Sequence, residues 1–596
     1  MEEVLQKMLQ ELVATIDQPK FNLSRVLKKY PKPDGNLFKK SEIISAYNEA
    51  VGSKLITASS KIEKLLVKKP TRTMSGVTPV TILTKPFPCP GKCIFCPSDV
   101  RMPKSYLSDE PGAQRAERNW FDPYLQTYDR LLALQANGHD TSKVEMIILG
   151  GTWSFYPEKY QIWFIKRVFE ALNQFGRTDE RQTVIKHYQQ MSEVYQKVNS
   201  YSPSSDPKKN QQTLKKYEIS GNKIAKTYNQ IISEVYVAPE RRAGFDQFQT
   251  AEWRELEQEQ KINETTECRC VGLVIETRPD NISPAEMLRI RRLGATKVQI
   301  GFQSLNDEVL AKNHRGHDVD ATRRGVKLLR QAGFKIHAHW MPNLYGSSPE
   351  LDYQDYLKMF AEDDFKPDEL KIYPCSLIET AELMQYFEQG LWRPYSEQEL
   401  LELLIKCFIA TPEYCRLTRV VRDIGADDIV VGNKKTNFRQ LVEAEIVKRK
   451  LHVKEIRARE IRGRGFDPTK VKIKQTEYST SVSQEIFIQA VAKVSGEEKL
   501  LGFLRLSLPS EKNFVEELAD SAIIREVHVY GQVEAVGESG KTKAQHLGLG
   551  KKMVALAQTL AKARGFTKLA VISAVGTREY YRKLGFIDGE FYQFKN

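Results

Sequence analysis

Three closely spaced cysteines are the residues of this chain best suited to carry chemistry. Cys89, Cys93 and Cys96 lie in the segment CPGKCIFC, separated by three and then two residues. Pro88 and Pro90 break regular secondary structure, so the three thiols are expected to point inward from one tight loop. Such a trio predicts a [4Fe-4S] cluster with one iron left open for a small ligand. Zinc would need a fourth ligand nearby, and disulfide pairing would leave one cysteine over.

The same segment resembles the signature of the radical S-adenosylmethionine (SAM) superfamily, Cys-x3-Cys-x2-Cys with an aromatic residue, here Phe95, before the last cysteine. In that superfamily the open iron binds the amino and carboxylate groups of SAM, and the reduced cluster cleaves SAM to a 5′-deoxyadenosyl radical. The resemblance therefore implies SAM as a cofactor and an electron donor as a partner, with the protein directing the cofactor's chemistry.

Length and composition indicate a protein of several domains. A chain of 596 residues is too long for one core, so two or three domains are expected. A hydrophobic share of 41% with 28% charged residues is typical of soluble globular proteins. The net charge of +14 favours a polyanionic partner, although a basic surface for solubility alone is the alternative. Neither a signal peptide nor an apolar run of membrane-spanning length is evident, which predicts a cytoplasmic protein without a membrane partner.

The chain begins with a basic segment. Residues 1–75 show apolar residues at helical spacing around the Lys-rich loop KKYPKPDGNLFKK, and this pattern predicts a helical extension. Lys28, Lys29, Lys39 and Lys40 are candidate contacts to a nucleic-acid backbone. A solvated helical cap on the next domain is the alternative.

Residues 76–415 alternate apolar strands with helical segments, which predicts a parallel sheet in a partial or full (β/α) barrel. A polar, Lys-rich stretch at about residues 176–260 is interpreted as a helical insertion. Polar residues follow the strands at the carboxyl ends where such barrels carry their sites. The cofactor-binding candidates are Gly150, Gly151, Thr152, Glu276 and Arg278, and later strand ends bring Gln303, Ser304, His337, His339 and Met341.

Residues 416–478 are interpreted as a basic linker. Arg457, Arg459, Arg462 and Arg464 fall within eight residues, and few solvated surfaces are this dense in one sign of charge. An RNA or DNA contact is the better interpretation of this cluster.

The C-terminal residues 479–596 predict a second α/β domain. The segment QHLGLG at the start of a long amphipathic helix places glycines where backbone amides bind a pyrophosphate. It resembles the acyl-CoA loop of GNAT acetyltransferases, and LAVIS followed by YYRKLGF resembles their closing segment. The nearby ESGKT is rejected as a phosphate loop, since the required first glycine is Ala535. This resemblance implies Gln545, His546, Leu547, Gly548, Leu549 and Gly550 as the acetyl-CoA candidates and Tyr580 and Tyr581 as the catalytic candidates. Glu526 and His528, which alternate with Arg525 and Val527 on one strand, are interpreted either as a base or as residues that only stabilise the sheet.

A radical SAM domain followed by a GNAT domain resembles the family of the Elongator catalytic subunit, in its stand-alone prokaryotic form. Family-like segments include RTMSGVTPV, CVGLVIETRPD, IGFQSLND and KIYPCS. The resemblance implies carboxymethylation of C5 of the tRNA wobble uridine, with acetyl-CoA as carbon source, SAM as radical initiator and turnover stimulated by tRNA. Its implied partner is the tRNA anticodon stem-loop, where an unstacked base is accessible. A homodimer is considered for its assembly.

Two departures and two rival functions accompany this resemblance. Val453 and Ala458 stand where many relatives have a linker cysteine, so a structural zinc is not expected. Phe586 replaces the tyrosine that often ends the closing motif. One rival is a protein lysine acetyltransferase with a structural cluster, and the other is a tRNA-binding assembly subunit without activity. Partial zinc ligands would be Cys407, Cys415 and His452.

Overall fold

A computed structural model describes residues 2–198, 227–233, 248–422, 424–463, 465–530 and 548–596 of the chain. Within these ranges an N-terminal group of helices precedes two seven-stranded sheets. The chain is of the predicted α/β class. None of the helices in the described ranges is both long and apolar enough to cross a membrane.

The N-terminal helices form a small unit with its own core. The Asn22 side chain accepts a hydrogen bond from the backbone N–H of Arg25 and so caps the second helix. Met8, Leu12 and Ile43 are among the apolar side chains that meet between the helices, apart from the main core. The helices are α1 (Glu2–Thr15), α2 (Leu23–Lys29), α3 (Lys40–Gly52) and α4 (Ser60–Leu66).

The first large sheet is a parallel partial barrel. Its strand order is β1-β2-β3-β4-β5-β6-β8, and no ladder in the described residues joins the two edge strands. Neighbouring strands from β1 to β6 all pair in parallel, so their carboxyl ends meet on one side. They are β1 (Thr78–Leu83), β2 (Lys143–Leu149), β3 (Arg269–Thr277), β4 (Lys297–Gln303), β5 (Lys335–Trp340), β6 (Glu369–Ile372) and β8 (Arg416–Val420), with β7 (Leu377–Ile378) paired to β9 (Ile429–Val431) outside the sheet.

Amphipathic helices cover the outer face of the barrel and bury its apolar side chains. Several begin with a side-chain cap, such as Asp122, Ser283, Asn306, Asp318 and Ser348. The helices of this part of the chain are α5 (Pro111–Arg118), α6 (Pro123–Gln135), α7 (Glu158–Gln174), α8 (Arg181–Val198), α9 (Tyr228–Ile232), α10 (Trp253–Asn263), α11 (Pro284–Arg292), α12 (Asp307–Lys312), α13 (Val319–Gln331), α14 (Pro349–Ala361), α15 (Leu383–Glu388) and α16 (Glu397–Ala410). Of these, α9 and α15 contact the cysteine loop and do not belong to the outer layer.

The segment predicted as a linker is more structured than expected, and its ends belong to the sheets. β8 begins at Arg416 and completes the partial barrel, while β10 begins at Lys472 and opens the second sheet. Between them lie the short strand β9, α17 (Phe438–Lys448) and α18 (Ile456–Arg459). The basic composition of this stretch concealed β8 and β10, because charged side chains alternate with apolar ones on strands that have one exposed face.

The second sheet is antiparallel except where β13 pairs parallel to β14. Its order is β10-β11-β12-β13-β14-β16-β15. Its elements are β10 (Lys472–Ser479), β11 (Ser483–Val494), β12 (Glu497–Pro509), β13 (Ser521–Val529), α19 (Leu549–Ala563), β14 (Lys568–Val571), α20 (Arg578–Arg582), β15 (Ile587–Asp588) and β16 (Gln593–Lys595).

The C-terminal domain packs against the amino ends of the barrel strands. Lys335, the first residue of β5, pairs with Glu526 of β13 at 2.5 Å. Asp368, just before β6, accepts two hydrogen bonds from Arg525 at 2.7 and 2.8 Å. One hydrophobic core runs from β1 to the last strands of the C-terminal sheet, so the two domains share a single interior.

Candidate functional site

The cysteine loop lies beyond the carboxyl end of β1, as the sequence predicts for a site in a parallel barrel. The three thiols are free, and Cys93 is buried. Cys89 Sγ lies 3.8 Å from Thr152 Oγ1, and Cys96 Sγ lies 3.2 Å from Ser105 Oγ. The loop is therefore held by hydroxyl groups from two other segments.

Cys93 is the thiol whose environment most favours the thiolate. Its pKa is held well below the ordinary value by a hydrogen bond from Cys96 and, against the effect of burial, by the charges of Arg315 and Arg278. A thiolate is the form that binds iron. The loop thus favours the ligand form at its central cysteine.

The surroundings of the loop fit an iron–sulfur cluster. No three His, Cys, Asp or Glu side chains in the described ranges stand close enough to share a single metal ion. A [4Fe-4S] cluster does not need this, because each thiolate binds a separate iron corner. Two buried N–H groups near the loop, Arg278 Nη1 and Arg315 Nε, have no acceptor among the residues that the structure describes. Cluster sulfides would supply acceptors for them.

The glycines after β2 have different roles. Gly150 has a φ of +120°, and an added Cβ would lie 2.1 Å from Thr84 Oγ1, so the close approach of β1 alone explains this glycine. Gly151 has a φ of +64°, and its nearest neighbour would be the Tyr156 hydroxyl at 3.9 Å. Thr152 is buried beside the first cysteine. Gly151 is thus the one of the two glycines that leaves room for a ligand.

Glu276 and Arg278 diverge at the end of β3. Glu276 accepts from the Tyr106 hydroxyl at 3.4 Å and lies 3.6 Å from His339 Nδ1. Burial raises the pKa of Glu276. Arg278 instead turns to the cysteine loop, where its Nε and Nη2 donate to Asp280 at 2.9 Å. Only Glu276 faces the barrel interior.

A single cavity of 1540 Å³ extends from the cysteine loop through the barrel to the C-terminal domain. Cys96 and Tyr106 line one end, and Gly548 and Tyr580 line the other. The inward side chains between them are mostly charged or polar. They include Glu145, Glu276, Lys297, Gln299, Gln303, Lys335, His337, His339, Glu369 and Lys371.

Ion pairs cross the cavity near the amino ends of the strands. Glu369 accepts from Lys297 at 3.1 Å and from Lys335 at 2.7 Å. Lys335 also reaches Glu526 of the C-terminal domain, and Lys297 reaches Glu145 at 2.8 Å. This chain of alternating charges marks the boundary between the two ends of the cavity.

The predicted acetyl-CoA loop is described from Gly548 onward; Gln545, His546 and Leu547, like the ESGKT segment, lie outside the described residues. Gly548 adopts a left-handed φ of 65° directly before α19, which starts at Leu549. The first amides of this helix are free of intrahelical partners, as an anion-binding helix start requires. Gly550 approaches Tyr580, since an added Cβ would lie 2.8 Å from the tyrosine hydroxyl.

The two tyrosines of α20 differ in accessibility. Tyr580 is 42% exposed, whereas Tyr581 is 7% exposed and packs against Phe586 with ring centroids 5.5 Å apart. Burial raises the pKa of both phenols. Tyr580 is therefore the better placed of the two to meet a thioester at the start of α19.

The two candidate bases on β13, Glu526 and His528, have different environments. Burial alone would raise the pKa of Glu526, but Lys335 and Arg505 outweigh it and keep the pKa below its ordinary value. His528 has a pKa lowered to about 4, chiefly by burial, and its Nε2 is buried without a hydrogen-bond partner among the described residues. His528 is therefore uncharged at neutral pH.

The predicted RNA contacts are divided between surface and interior. Lys28, Lys29 and Lys39 are exposed, although Lys29 also pairs with Glu11 at 2.5 Å. Lys40 is half-buried and donates to the Leu65 carbonyl at 2.9 Å.

In the linker, Arg462 is exposed and Arg457 is partly buried, donating to the Thr418 carbonyl at 2.8 Å. Arg459 is buried, and its guanidinium donates to Gln489 Oε1, the Glu413 carbonyl and the Lys454 carbonyl, each at 2.7 Å. We remove Arg459 from the proposed RNA contacts because its donors are used within the protein. Arg464 lies outside the described residues.

The candidate zinc ligands do not meet. Cys407 and Cys415 are buried in the main core, whereas His452 is exposed on the segment after α17. Burial raises the pKa of both thiols well above the ordinary value, which favours the protonated form. These cysteines behave as apolar core residues.

Sequence reasoning missed Arg315 and the interior lysines. Arg315 Nη1 donates to Cys93 Sγ at 3.5 Å, although the residue lies more than two hundred positions after the loop. The segment HRGH, with an arginine between two histidines, was a signal that could have marked it. Lys297 and Lys335 are the first residues of β4 and β5, at the end opposite to the carboxyl ends where site residues were expected.

Comparison with known proteins agrees with this geometry. Residues 244–350 match the radical SAM superfamily and residues 367–448 match the radical SAM C-terminal domain. The chain is 35% identical over 594 residues to a protein named tRNA uridine(34) acetyltransferase from Methanocaldococcus infernus, covering 95% of this chain and 96% of the relative. The chain belongs to this family. Its members include Elongator complex protein 3 of Homo sapiens, 30% identical over 87% of this chain and 84% of the human protein.

The fold also matches a solved member of the family. The M. infernus Elp3 structure, determined with residues 1–46 deleted, aligns with a TM-score of 0.66 and 32% identity, covering 88% of this chain and all of that one. A radical SAM partial barrel is thus the framework of this chain, as the cysteine spacing predicts.

Proposed function

We propose that the chain is a tRNA wobble-uridine carboxymethyl synthase that uses acetyl-CoA as carbon source and SAM as radical initiator. The M. infernus relative named above, and similar relatives from Methanocaldococcus jannaschii and Dehalococcoides mccartyi, carry the name tRNA uridine(34) acetyltransferase. The observation that carries the proposal is the single cavity shared by the cysteine loop and the start of α19. A plain acetyltransferase would have no need of a passage to a cluster site.

The two ends of this cavity carry complementary groups. At the cluster end, Cys89, Cys93 and Cys96 would hold a [4Fe-4S] cluster, and Gly151, Thr152 and Glu276 would lie beside SAM. When bound there, the cluster and SAM would supply a carbon-centred radical, and such a radical allows a new bond to form at an unactivated carbon atom. At the other end, the amides after Gly548 would bind the CoA pyrophosphate. Tyr580 would donate a proton to the leaving thiolate, and His528 would accept one from water.

The two ends lie on opposite sides of the barrel. Strands β1 and β2 have six and seven residues, and at roughly 3.3 Å per residue they span about 20 Å. Carbon from acetyl-CoA must therefore cross the barrel interior to meet the radical. The polar lining from Lys335 to Glu276 would solvate a carbonyl or carboxylate along this path.

An RNA substrate is supported by arginines at the open side of the partial barrel. Arg72, Arg115 and Arg130 line the cavity beside β1, and none of them forms an ion pair within the described ranges. Burial and the charges of Arg115 and Arg72 lower the pKa of Arg130 to about 10. Arg462 lies on the β8 side of the same cavity. Phosphates of a single-stranded loop would neutralise this surplus.

The test is an anaerobic assay of the purified chain. Acetyl-CoA hydrolysis is measured with and without tRNA, and the wobble nucleoside is analysed by mass after addition of SAM and a low-potential reductant. We expect hydrolysis stimulated by tRNA and a carboxymethyl mass that disappears in the triple variant Cys89→Ala, Cys93→Ala and Cys96→Ala. Acetylated lysine on a peptide, with hydrolysis indifferent to tRNA, would instead favour the protein acetyltransferase.

A further inference from the structure

Two buried guanidinium groups flank the central cysteine of the loop. Arg315 is 6% exposed, and its Nη1 donates to Cys93 Sγ at 3.5 Å while its Nη2 donates to the Gly301 carbonyl at 3.1 Å. Arg278 is 5% exposed and donates through Nη2 to the Arg315 carbonyl at 2.7 Å. The backbone of one arginine is thus fixed by the side chain of the other.

The cysteine loop is shaped to let Arg278 approach. A Cβ added at Gly91, between the first two cysteines, would lie only 2.1 Å from Arg278 Nη1. Gly91 is therefore needed for the contact. The same Nη1, and Nε of Arg315, are buried and have no acceptor among the described residues. An unpaired buried N–H costs free energy, so both atoms require an acceptor that the described part of the chain does not provide.

The local charge is positive. Asp280 is the carboxylate paired with Arg278, and Arg315 has no carboxylate partner within the described ranges. His317 is buried beside them, and its pKa is lowered to about 3, chiefly by burial, so it is neutral at physiological pH. Apart from the cysteine thiolates, one positive charge beside Cys93 is consequently not balanced by a carboxylate of the described residues.

We propose that Arg315, supported by Arg278, sets the reduction potential of the [4Fe-4S] cluster by donating hydrogen bonds to Cys93 Sγ and to cluster sulfide. Reduction adds one electron, and so one negative charge, next to Cys93; the electron comes from an external low-potential one-electron donor and no bond breaks. An N–H donor and a net positive charge stabilise the reduced state more than the oxidised state. Arg315 acts through the ligand sulfur and is a positioning residue.

This inference rests on the cluster and not on the RNA substrate or on acetyl-CoA. The experiment is an anaerobic potentiometric titration of the reconstituted full-length chain, followed by electron paramagnetic resonance of the reduced cluster, without SAM. We expect Arg315→Gln to lower the midpoint potential. At a fixed potential the reduced-to-oxidised ratio should fall about tenfold, equivalent to about 59 mV for a one-electron couple. Arg315→Lys keeps the positive charge but lacks the paired N–H donors of the guanidinium group, so it should shift the midpoint less.

Control variants distinguish an effect on the reduction potential from an effect on cluster assembly or on SAM binding. Arg393→Gln removes an exposed arginine, with 67% side-chain exposure, and should leave the midpoint unchanged. If Arg315→Gln does not retain iron, Arg315→Lys and Arg278→Lys are measured instead, and a lowered midpoint in both supports the proposal. An unchanged midpoint in iron-replete variants overturns it. A midpoint unchanged without SAM but weaker SAM binding would assign Arg315 to the SAM carboxylate and also overturn it. If the chain does not modify tRNA, the midpoint potential of the cluster is still measurable, so the two proposals can fail separately.

Discussion

Replacing Arg525 with methionine would test whether the barrel and the C-terminal domain fold as one unit. The Arg525 guanidinium donates to both carboxylate oxygens of Asp368 at 2.7 and 2.8 Å and to Glu485 at 2.8 Å. All three side chains are at most 1% exposed. The substitution leaves two buried carboxylates with less counter-charge. Removing one partner of a buried ion pair costs about 3–5 kcal/mol.

Tryptophan fluorescence offers a probe that reports only on the barrel side. The chain has 6 tryptophans, from Trp120 to Trp392, and the C-terminal domain has none. Because the core is continuous, Arg525→Met should lower the guanidinium midpoint of tryptophan fluorescence and of far-UV circular dichroism together. Arg564→Met is the matched control: its ion pair with Glu477 is exposed, and its loss should cost about 0–1 kcal/mol.

Different unfolding midpoints by fluorescence and by circular dichroism would show that the barrel and the C-terminal domain do not unfold as one unit. In that case circular dichroism of Arg525→Met would show an early transition, while tryptophan fluorescence kept its wild-type midpoint. The barrel would then be stable without the C-terminal domain, and the ion pairs would serve docking alone.

Three further predictions address the two sites and their junction. Gly91→Ala should reduce iron and sulfide per chain after anaerobic reconstitution several-fold, because its methyl group would displace the Arg278 guanidinium. Gly550→Ala should raise the KM for acetyl-CoA in the hydrolysis assay, because its methyl group would meet the Tyr580 hydroxyl. Burial would raise the pKa of Asp368, but neighbouring arginines hold it below its ordinary value. The resulting stability is present above about pH 4 and is lost as the pH falls further, so Asp368→Asn should flatten the acid limb of a thermal-melting profile against pH.

Glycines without these close contacts provide controls. A Cβ at Gly112 would make only ordinary contacts, the nearest at 3.5 Å, and Gly112→Ala should retain iron. Gly52 ends α3 with nothing within 4 Å, so Gly52→Ala should leave the KM unchanged. Equal iron loss at Gly91 and Gly112, or an equal KM change at Gly550 and Gly52, would contradict the steric explanation. A profile of Asp368→Asn parallel to wild type would contradict the assigned role of the carboxylate.

The parts of the site that were predictable from sequence are those in which local spacing fixes the geometry. Cys89, Cys93 and Cys96 share one loop, so their spacing alone indicated a cluster. Likewise Gly548 precedes a long amphipathic helix, and the structure has that helix begin at Leu549. Alternation of strands and helices was sufficient to predict the parallel sheet, because each unit is local.

Features that depend on distant residues were not predictable in this way. Gly150 is explained by Thr84, the residue that follows β1, and not by a ligand. Arg459 looked like an RNA contact because charge density in sequence does not reveal where the side chain points, and in the structure it joins α18 to the C-terminal sheet through Gln489. Arg315 approaches Cys93 only because β4 and the loop after α12 return to the cysteine loop. These contacts follow from tertiary packing.

Because the C-terminal domain packs at the amino ends of the barrel strands, these ends line a cavity instead of being filled by an apolar core. In most such barrels the amino ends of the strands serve stability and the carboxyl ends serve chemistry. Here the amino ends carry Lys297, Lys335 and Glu369, which line the same cavity as the C-terminal domain. Burying these charges is costly unless each is paired, and each is. An apolar plug would close the barrel, so a polar, paired interior is what the proposed passage between the cysteine loop and the start of α19 requires.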